Sequence, residues 1–300
     1  MVASVSLLLI VSCDKEEETK PTPIENNDNG DDTGDDNGDN NGDDTGDDNG
    51  DNNGDDNGDD NGDVFFNPNI TYGSMNDIEG NTYKTVVIGT QTWMAENLKV
   101  TKYNDGASIP NVTEAGVPEG SYGWRNLTTP AYCWHDNDIN KSTYGALYNW
   151  YAVETEKLCP TGWHVPSDEE WTVLTNYLAE NGYNYDGTIA DAADSEADKR
   201  GKIAKAMASS SGWVSVSSTG SVGDSDFSEY RNKSGFTALP GGSRFSSGNF
   251  NSDGNYGYWW SATEGIADNA WTRGVDYRGS NVYRNSNNKE VGFSVRCVRD

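Results

Sequence analysis

The chain reads as an α+β fold, with two main helices and short twisted antiparallel strands, preceded by a disordered acidic linker. Three observations predict this. A capped, amphipathic helix starts at Ser167, short β-prone runs between Gly, Ser and Asn turns fill the sequence beyond Trp213, and glycine recurs at every fourth position from Gly30 to Gly62. The 300 residues carry 49 acidic and 21 basic side chains, a net charge of −28. Residues 14–63 hold 21 of the acids against two lysines, whereas all 10 Trp lie beyond them. One aromatic-rich globular unit, 64–300, thus follows a strongly acidic segment. The balance excludes a nucleic-acid binder, since phosphates need clustered Lys and Arg. A polytopic membrane protein is excluded too, because no apolar run approaches the ~18 residues of a membrane-spanning helix.

Residues 1–13 read as an address. Val5, Leu7, Leu8, Leu9, Ile10 and Val11 form an apolar run that ends at Ser12-Cys13, as in a signal peptide with its cleavage site. Ile10-Val11-Ser12-Cys13 resembles the lipobox of bacterial lipoproteins, although no Lys or Arg precedes the run. The resemblance implies that Cys13 carries the lipid (diacylglycerol and palmitate-type acyl chains) and becomes the anchored N-terminus. Two or three acyl chains on one cysteine hold a protein stably to a membrane. Asp14-Lys15-Glu16-Glu17 resembles the surface-export signals of lipoproteins in the Bacteroidetes group, which implies an outer-membrane protein facing the cell exterior.

Residues 14–63 read as a spacer. Between the regularly placed glycines sit Asp-Asp-Asn, Asp-Asn-Asn or Asp-Asp-Thr, with no large apolar residue from Gly30 to Gly62. Nothing there can offset the backbone entropy of folding. Like charges extend such a chain, so some fifty residues span roughly 40 Å as a relaxed coil and up to roughly 170 Å stretched. Calcium is the rival reading, because Asp and Asn oxygens are hard ligands. The four-residue period matches neither the nine-residue β-roll repeat nor the EF-hand loop, so a solvated stalk is the plainer reading.

Within 64–300, the Gly80-Asn81 turn leads into β-prone Thr82 to Ile88, the signature of a hairpin. Gln91 to Leu98 continues as a compact, half-apolar stretch, and 104–130, rich in Gly, Pro, Asn and Ser, reads as a long loop. Leu147, Trp150 and Tyr151 fall at helical spacing and predict a short buried helix over Tyr144 to Val153. Ser167-Asp168-Glu169-Glu170 is a capping box, Trp171, Leu174 and Leu178 form one stripe, and Asn181-Gly182 stops the helix. A second helix is predicted over Asp198 to Ala208. Strands are predicted over Phe236 to Phe245, Tyr256 to Thr263, Ala270 to Tyr277, Val282 to Arg284 and Val291 to Val298. In the last, Val291, Phe293, Val295 and Cys297 alternate with smaller or polar residues, which points Cys297 to the core.

Seven blocks, in order, resemble the Fibrobacter succinogenes major paralogous domain. They are Thr85–Gly89, Gln91–Leu98 (QTWMAENL), Tyr144–Trp150 (YGALYNW), Cys159–Trp171 (CPTGWHVPSDEEW), Gly235–Gly242 (GFTALPGG), Tyr258–Ser261 and Gly292–Arg299 (GFSVRCVR). The family is typical of bacterial lipoproteins and implies no settled activity. Its blocks are similar to C-type lectin-like domains and to sulfatase-modifying enzymes. The resemblance therefore implies a C-type lectin-like mixed fold over 64–300, two helices against twisted strands, with the chain ends close together. With Cys13 taken for lipid, Cys133, Cys159 and Cys297 remain. In lectin-like folds a long-range bridge ties an early element to the final strand, which implies Cys159–Cys297. Cys133 could pair instead, or could stay a buried thiol among aromatics.

Catalytic motifs are absent: no HExxH, CxxC, GxSxG or P-loop pattern occurs. The sulfatase-modifying enzymes need a cysteine pair near the C-terminus, and here only Cys297 is present, so the chain is expected not to be an enzyme. The Gln-Pro-Asp, Glu-Pro-Asn and Trp-Asn-Asp triplets of calcium-dependent lectins are missing as well. His164, between Trp163 and Val165, reads as structural. His135-Asp136-Asn137-Asp138 could hold a cation such as calcium through Asp136 and Asp138, with a solvated turn as the plainer reading and no cofactor expected. Surface aromatics remain, because a domain of this size cannot bury 26 Tyr and Trp completely. Arg244, Asn249, Tyr256, Tyr258 and Trp259 form one candidate ligand site, where amides beside rings suit hydroxyl-rich ligands; Trp271, Arg273, Tyr277, Arg278, Tyr283 and Arg284 form a second, which suits carboxylated ones. The expectation is a lipid-anchored surface protein that binds a glycan or a surface protein. A structural or adhesion scaffold is the alternative.

Overall fold

The computed structural model describes residues 65–114, 123–189, 199–251 and 253–300. The apolar address, Cys13 and the acidic spacer lie outside the described residues, as does Asp198, where the second predicted helix begins. Four antiparallel sheets make up most of the regular structure. The largest has five strands: β1 (Gly73–Asn76), β2 (Thr82–Ile88), β3 (Gln91–Met94), β13 (Val298–Arg299) and β6 (Trp163–His164), in that order across the sheet. The Gly80-Asn81 signal is read correctly, since Asp77 to Asn81 turns β1 into β2. Asp77 Oδ1 accepts from the amides of Glu79 and Asn81, both at 2.9 Å. Such a side-chain acceptor closes the turn from within.

The second sheet has four strands, β10 (Tyr256–Glu264), β11 (Asn269–Asp276), β12 (Val282–Asn288) and β7 (Lys199–Arg200). β10 and β11 follow the predicted strands closely, β12 runs on past the predicted Arg284 to Asn288, and a register shift interrupts β10 between Trp260 and Glu264. Two small ribbons complete the set: β4 (Tyr132–Cys133) with β5 (Leu147–Tyr148), and β8 (Ser243–Arg244) with β9 (Phe250–Asn251).

The two-helix α+β expectation, and with it the C-type lectin-like arrangement, is overturned: the regular structure of the described residues is mostly β sheet. One helix, α2 (Asp168–Glu180), has 13 residues, and the other two α-helices, α1 (Trp150–Val153) and α3 (Ala204–Met207), are single turns of four. The reasons are local. At the predicted 144–153 helix, Gly145 sits at φ 81°, and a Cβ there would come within 2.5 Å of the Asn97 Cβ. Leu147 and Tyr148 then pair with β4, and Asn149 caps the short turn by accepting from the Ala152 amide. At the predicted 198–208 helix, Arg200 is drawn into the sheet against Val282, and Gly201 takes φ 50°. Ala208 then turns extended and bridges Ala238. Tertiary pairing overrides apolar spacing at both places.

α2 forms where predicted, and for the predicted reason. Ser167 Oγ accepts from the Glu170 amide at 3.2 Å, while Glu170 Oε2 accepts from the Ser167 amide at 2.8 Å. Its buried stripe is Trp171, Leu174, Thr175, Leu178 and Ala179. The Trp93 and Trp171 rings meet at 4.8 Å, and Phe236 and Trp259 complete the cluster under the helix. A second core holds Tyr83, Leu98, Tyr148, Trp260 and Phe293.

Residues 291–298 form no continuous strand. Gly292, Phe293 and Ser294 make single bridges to Arg244, Tyr148 and Trp259, and only Val298–Arg299 enters a sheet. The segment threads between sheets, so both of its faces are buried, Arg296 included. Cys297 is in the core and joined to Cys159, 138 residues away. A cross-link closing so long a loop stabilises by about 2–5 kcal/mol, chiefly through the unfolded chain. Cys133 is a buried free thiol, and burial pushes it up to about 12, far from thiolate chemistry.

Arg296 is the strongest polar constraint. Its guanidinium is fully buried and donates to four oxygens: Asn97 Oδ1 at 2.9 Å, Met94 O at 3.3 Å, Thr237 O at 2.6 Å, and Phe236 O. It lies over the Phe236 ring at 4.3 Å. Desolvation pulls the group down to about 9, so its charge is held at a cost. Arg296→Met relieves that cost but strips the donors from buried carbonyls, each worth about 1–3 kcal/mol. The carbonyls win by number, and the variant is expected to lose more than about 2 kcal/mol. Urea midpoints with matched m-values check this; a loss within error of zero would show that the guanidinium is dispensable.

Candidate functional site

On β10 to β12, directly paired residues share a face. Tyr258 faces Gly274, which faces Tyr283, and Tyr256 faces Asp276. The opposite face, carrying Trp259, Arg273 and Val275, meets α2 and the core beneath it. Tyr256 and Tyr258 therefore stand side by side, centroids 5.6 Å apart and 12° from parallel. Gly274 makes this possible, because a Cβ there would press on the Tyr258 ring at 3.0 Å. Tyr277 meets Tyr256 edge-on at 6.4 Å, and Arg278 Nη2 donates to the Tyr256 hydroxyl at 2.6 Å. Burial pushes the Tyr258 phenol up to about 12, so it stays a neutral hydroxyl. Tyr256, Tyr258 and Tyr283 are half-buried, and Arg278 and Asn285 are exposed. The result is a row of phenol edges with amide and guanidinium neighbours.

The other predicted ligand residues lie elsewhere. Arg244 is fully buried, donating to the carbonyls of Gly248, Val112 and Thr113 between the rings of Trp124 and Phe250. Trp259 is buried and donates to Asn97 Oδ1 at 2.8 Å. Arg273 is buried as well and, with Arg284, holds Asp168 at the first turn of α2, at 2.7 and 2.8 Å. Burial would raise the Asp168 pKa, but the hydrogen bonds and charges of Arg284 and Arg273 prevail and hold it low. Trp271 is half-buried, with the Arg284 guanidinium 3.4 Å from its ring centre. Asn249 is exposed, in the turn of the β8–β9 ribbon. The structure thus joins Tyr256 and Tyr258 of the first predicted set with Tyr277, Arg278 and Tyr283 of the second; Gly274, the residue that lets them adjoin, carried no signal beyond being a glycine.

The predicted cation residues, Asp136 and Asp138, part company. Asp138 caps the following turn, accepting from the Asn140 amide at 2.9 Å. Asp136 instead joins His135 and Asp253, whose ligand atoms lie within 4.8 Å of one another. The Lys141 ammonium sits among them, 2.5 Å from Asp136, 2.7 Å from Asp253 and 3.4 Å from His135 Nδ1. The lysine itself thus supplies the positive charge that the oxygens call for.

His164 lies on β6, and both ring nitrogens are engaged: Nδ1 with Asp300 Oδ1 at 2.7 Å, Nε2 with Glu170 Oε1 at 2.8 Å. The capping box hinted at Glu170, whereas nothing in the sequence pointed to Asp300. The trio borders a cavity of about 370 Å³ that Glu156, Trp163, Val165 and Ala262 also line. Burial pulls the imidazole pKa down, but hydrogen bonds to Asp300 and Glu170 outweigh it and raise it above 6.5. Burial likewise works against Glu170, yet bonds from Ser167 and His164 hold it below its usual value.

A family model described as the Fibrobacter succinogenes major domain matches residues 86–299. No curated protein and no solved structure matches the chain.

The trio gives stability a pH window. A raised histidine contributes fully below its unfolded value near 6.5 and loses the contribution as pH rises through its folded pKa. A lowered glutamate contributes above 4.5 and loses it as pH falls. Native protein should therefore melt at a lower temperature at pH 9 than at pH 6, and His164→Gln should flatten that slope. Parallel melting profiles for the two proteins would remove His164 from the account.

Proposed function

The chain belongs to the Fibrobacter succinogenes major domain family, and from that premise we propose that it is a lipid-anchored surface protein whose globular part binds a glycan without catalysis. The observation that carries this reading is the half-buried Tyr256–Tyr258 pair at the start of β10, with Tyr283 across Gly274. Phenol hydroxyls, the exposed amide of Asn285 and the Arg278 guanidinium offer both donors and acceptors, which suits a ligand rich in hydroxyls. A protein-docking face would carry an apolar centre. The exposed large hydrophobic side chains, such as Val87, Val214, Phe245 and Ile266, all lie outside β10, β11 and β12.

Catalysis is disfavoured by the state of the reactive groups. Cys133 is a buried neutral thiol, His164 has both nitrogens tied to carboxylates, and His135 is buried beside Lys141. None has the nucleophile-and-base pairing that covalent catalysis needs. The lipobox at Cys13 and the acidic run 14–63 support a tether that holds the domain away from a membrane.

Two measurements test the reading. A glycan array on the mature chain should return at least one ligand, and Tyr256→Ala with Tyr258→Ala should weaken it about tenfold or more, the equivalent of ~1.4 kcal/mol, with unchanged circular dichroism. Undiminished binding by the folded double variant, or capture of one protein and no sugar, defeats it in favour of a scaffold. Labelled palmitate should enter the native protein and be lost in Cys13→Ala; absence of label from the native protein removes the anchor.

A further inference from the structure

We propose that the cavity between β6, the turn after α1 and the start of α2 is a second binding site, whose ligand is a primary ammonium carried on an aliphatic stem. Its volume of about 370 Å³ falls within the range of small-ligand pockets. Val153, Val165 and Ala262 supply apolar wall, and Trp163, half-buried, supplies an aromatic one. The charged lining is three carboxylates, Glu156, Glu170 and Asp300, against one imidazole.

The hydrogen-bond inventory decides the sign of the ligand. Both nitrogens of His164 are occupied by carboxylates. The Ser167 hydroxyl donates to Glu170 Oε2 at 2.8 Å, and the Ser167 amide donates to the same oxygen. Glu170 thus accepts at both oxygens, and Asp300 accepts at Oδ1. Among the described residues, the carboxylate oxygens of the lining that take no hydrogen bond are Asp300 Oδ2 and those of the exposed Glu156. A site whose charged donors are spent and whose spare groups are carboxylate oxygens attracts a cation that brings its own N–H groups. An anion would meet uncompensated negative charge. The Trp163 face adds cation–π attraction, and the apolar walls take a methylene stem. Glu156 is held in place by the backbone: it adopts φ 58°, a left-handed conformation rare for a non-glycine residue, at the turn that closes α1, where its amide donates to Val153 O at 3.1 Å.

The site is separate from the tyrosine face, so each stands or falls without the other. Titration calorimetry on the full mature chain tests it with Nα-acetyl-lysine methylamide and with glucosamine. The Nε-acetylated lysine derivative serves as the uncharged control. At least one amine is expected to bind at about millimolar Kd or tighter, and the control not to bind. Binding of the lysine amide places the amine on a polypeptide, and binding of glucosamine places it on a sugar. Glu156→Gln, a change at an exposed position, should weaken binding about three- to fivefold, and Glu156→Gln with Asp300→Asn should weaken it further. The charged groups facing His164 are Glu170 from α2 and Asp300 beyond β13, so loss of the imidazole proton leaves both carboxylates uncompensated. Binding should therefore tighten from pH 6 to pH 9, while the lysine amine stays charged. No heat with either amine at tens of millimolar, equal affinity for the acetylated control, or an unaltered Kd in the folded double variant overturns the proposal.

Discussion

The guanidinium of Arg296 is the fixed point around which the domain is arranged. It joins the end of β3, the turn at Phe236–Thr237 and the side chain of Asn97 through hydrogen bonds that no apolar residue could replace. Asn97 in turn receives Trp259 and reaches Ser294, so the strand that carries the tyrosine row is positioned at one remove by the same buried charge. Two neighbouring aromatic rings, Phe236 and Trp259, return part of the desolvation cost as cation–π attraction. Removing a charge from water is expensive, and the arrangement is sustainable because every arm of the fork finds an oxygen.

The same solution recurs away from the core. Lys205 is buried, and its ammonium is surrounded by the carbonyls of Asp224 and Asp226 and by Asp226 Oδ1. Lys141 sits among Asp136, Asp253 and His135. In both places a side-chain cation fills a cluster of oxygens that would suit a divalent ion. An acidic chain has acids to spare, and tethered ammonium groups fold its loops around them.

Some of this was legible in the sequence and some was not. The Ser167–Glu170 box predicted α2 because a capping motif is local chemistry: four residues carry all of it. The short β-prone runs between turns at Tyr256 and Ala270 predicted β10 and β11 for the same reason. The predicted helices at 144–153 and 198–208 collapsed to single turns because Gly145 and Gly201 answer to contacts with distant partners, which apolar spacing does not encode. Cys159–Cys297 was reached only through the family resemblance. Arg244, Trp259 and Arg273 looked like ligand residues because polar and aromatic side chains in a glycine-rich stretch read as surface. They are interior because buried carbonyls, Asn97 and Asp168 wait for them. Asp300 offered no pattern at all, and only the folded chain brings it to His164.

The order of the largest sheet carries one last implication. β13 lies between β3 and β6, and Val298 pairs with Trp93 and His164 at once. Until that segment has been synthesised, β3 keeps one open edge beside β2, and β6 has no neighbour in the sheet. A ribosome-bound fragment ending upstream of Arg296 also lacks the core's donor and one half of the disulfide. Such a nascent polypeptide is held back from premature closure, so the domain's last few residues, and not its first, license the final packing.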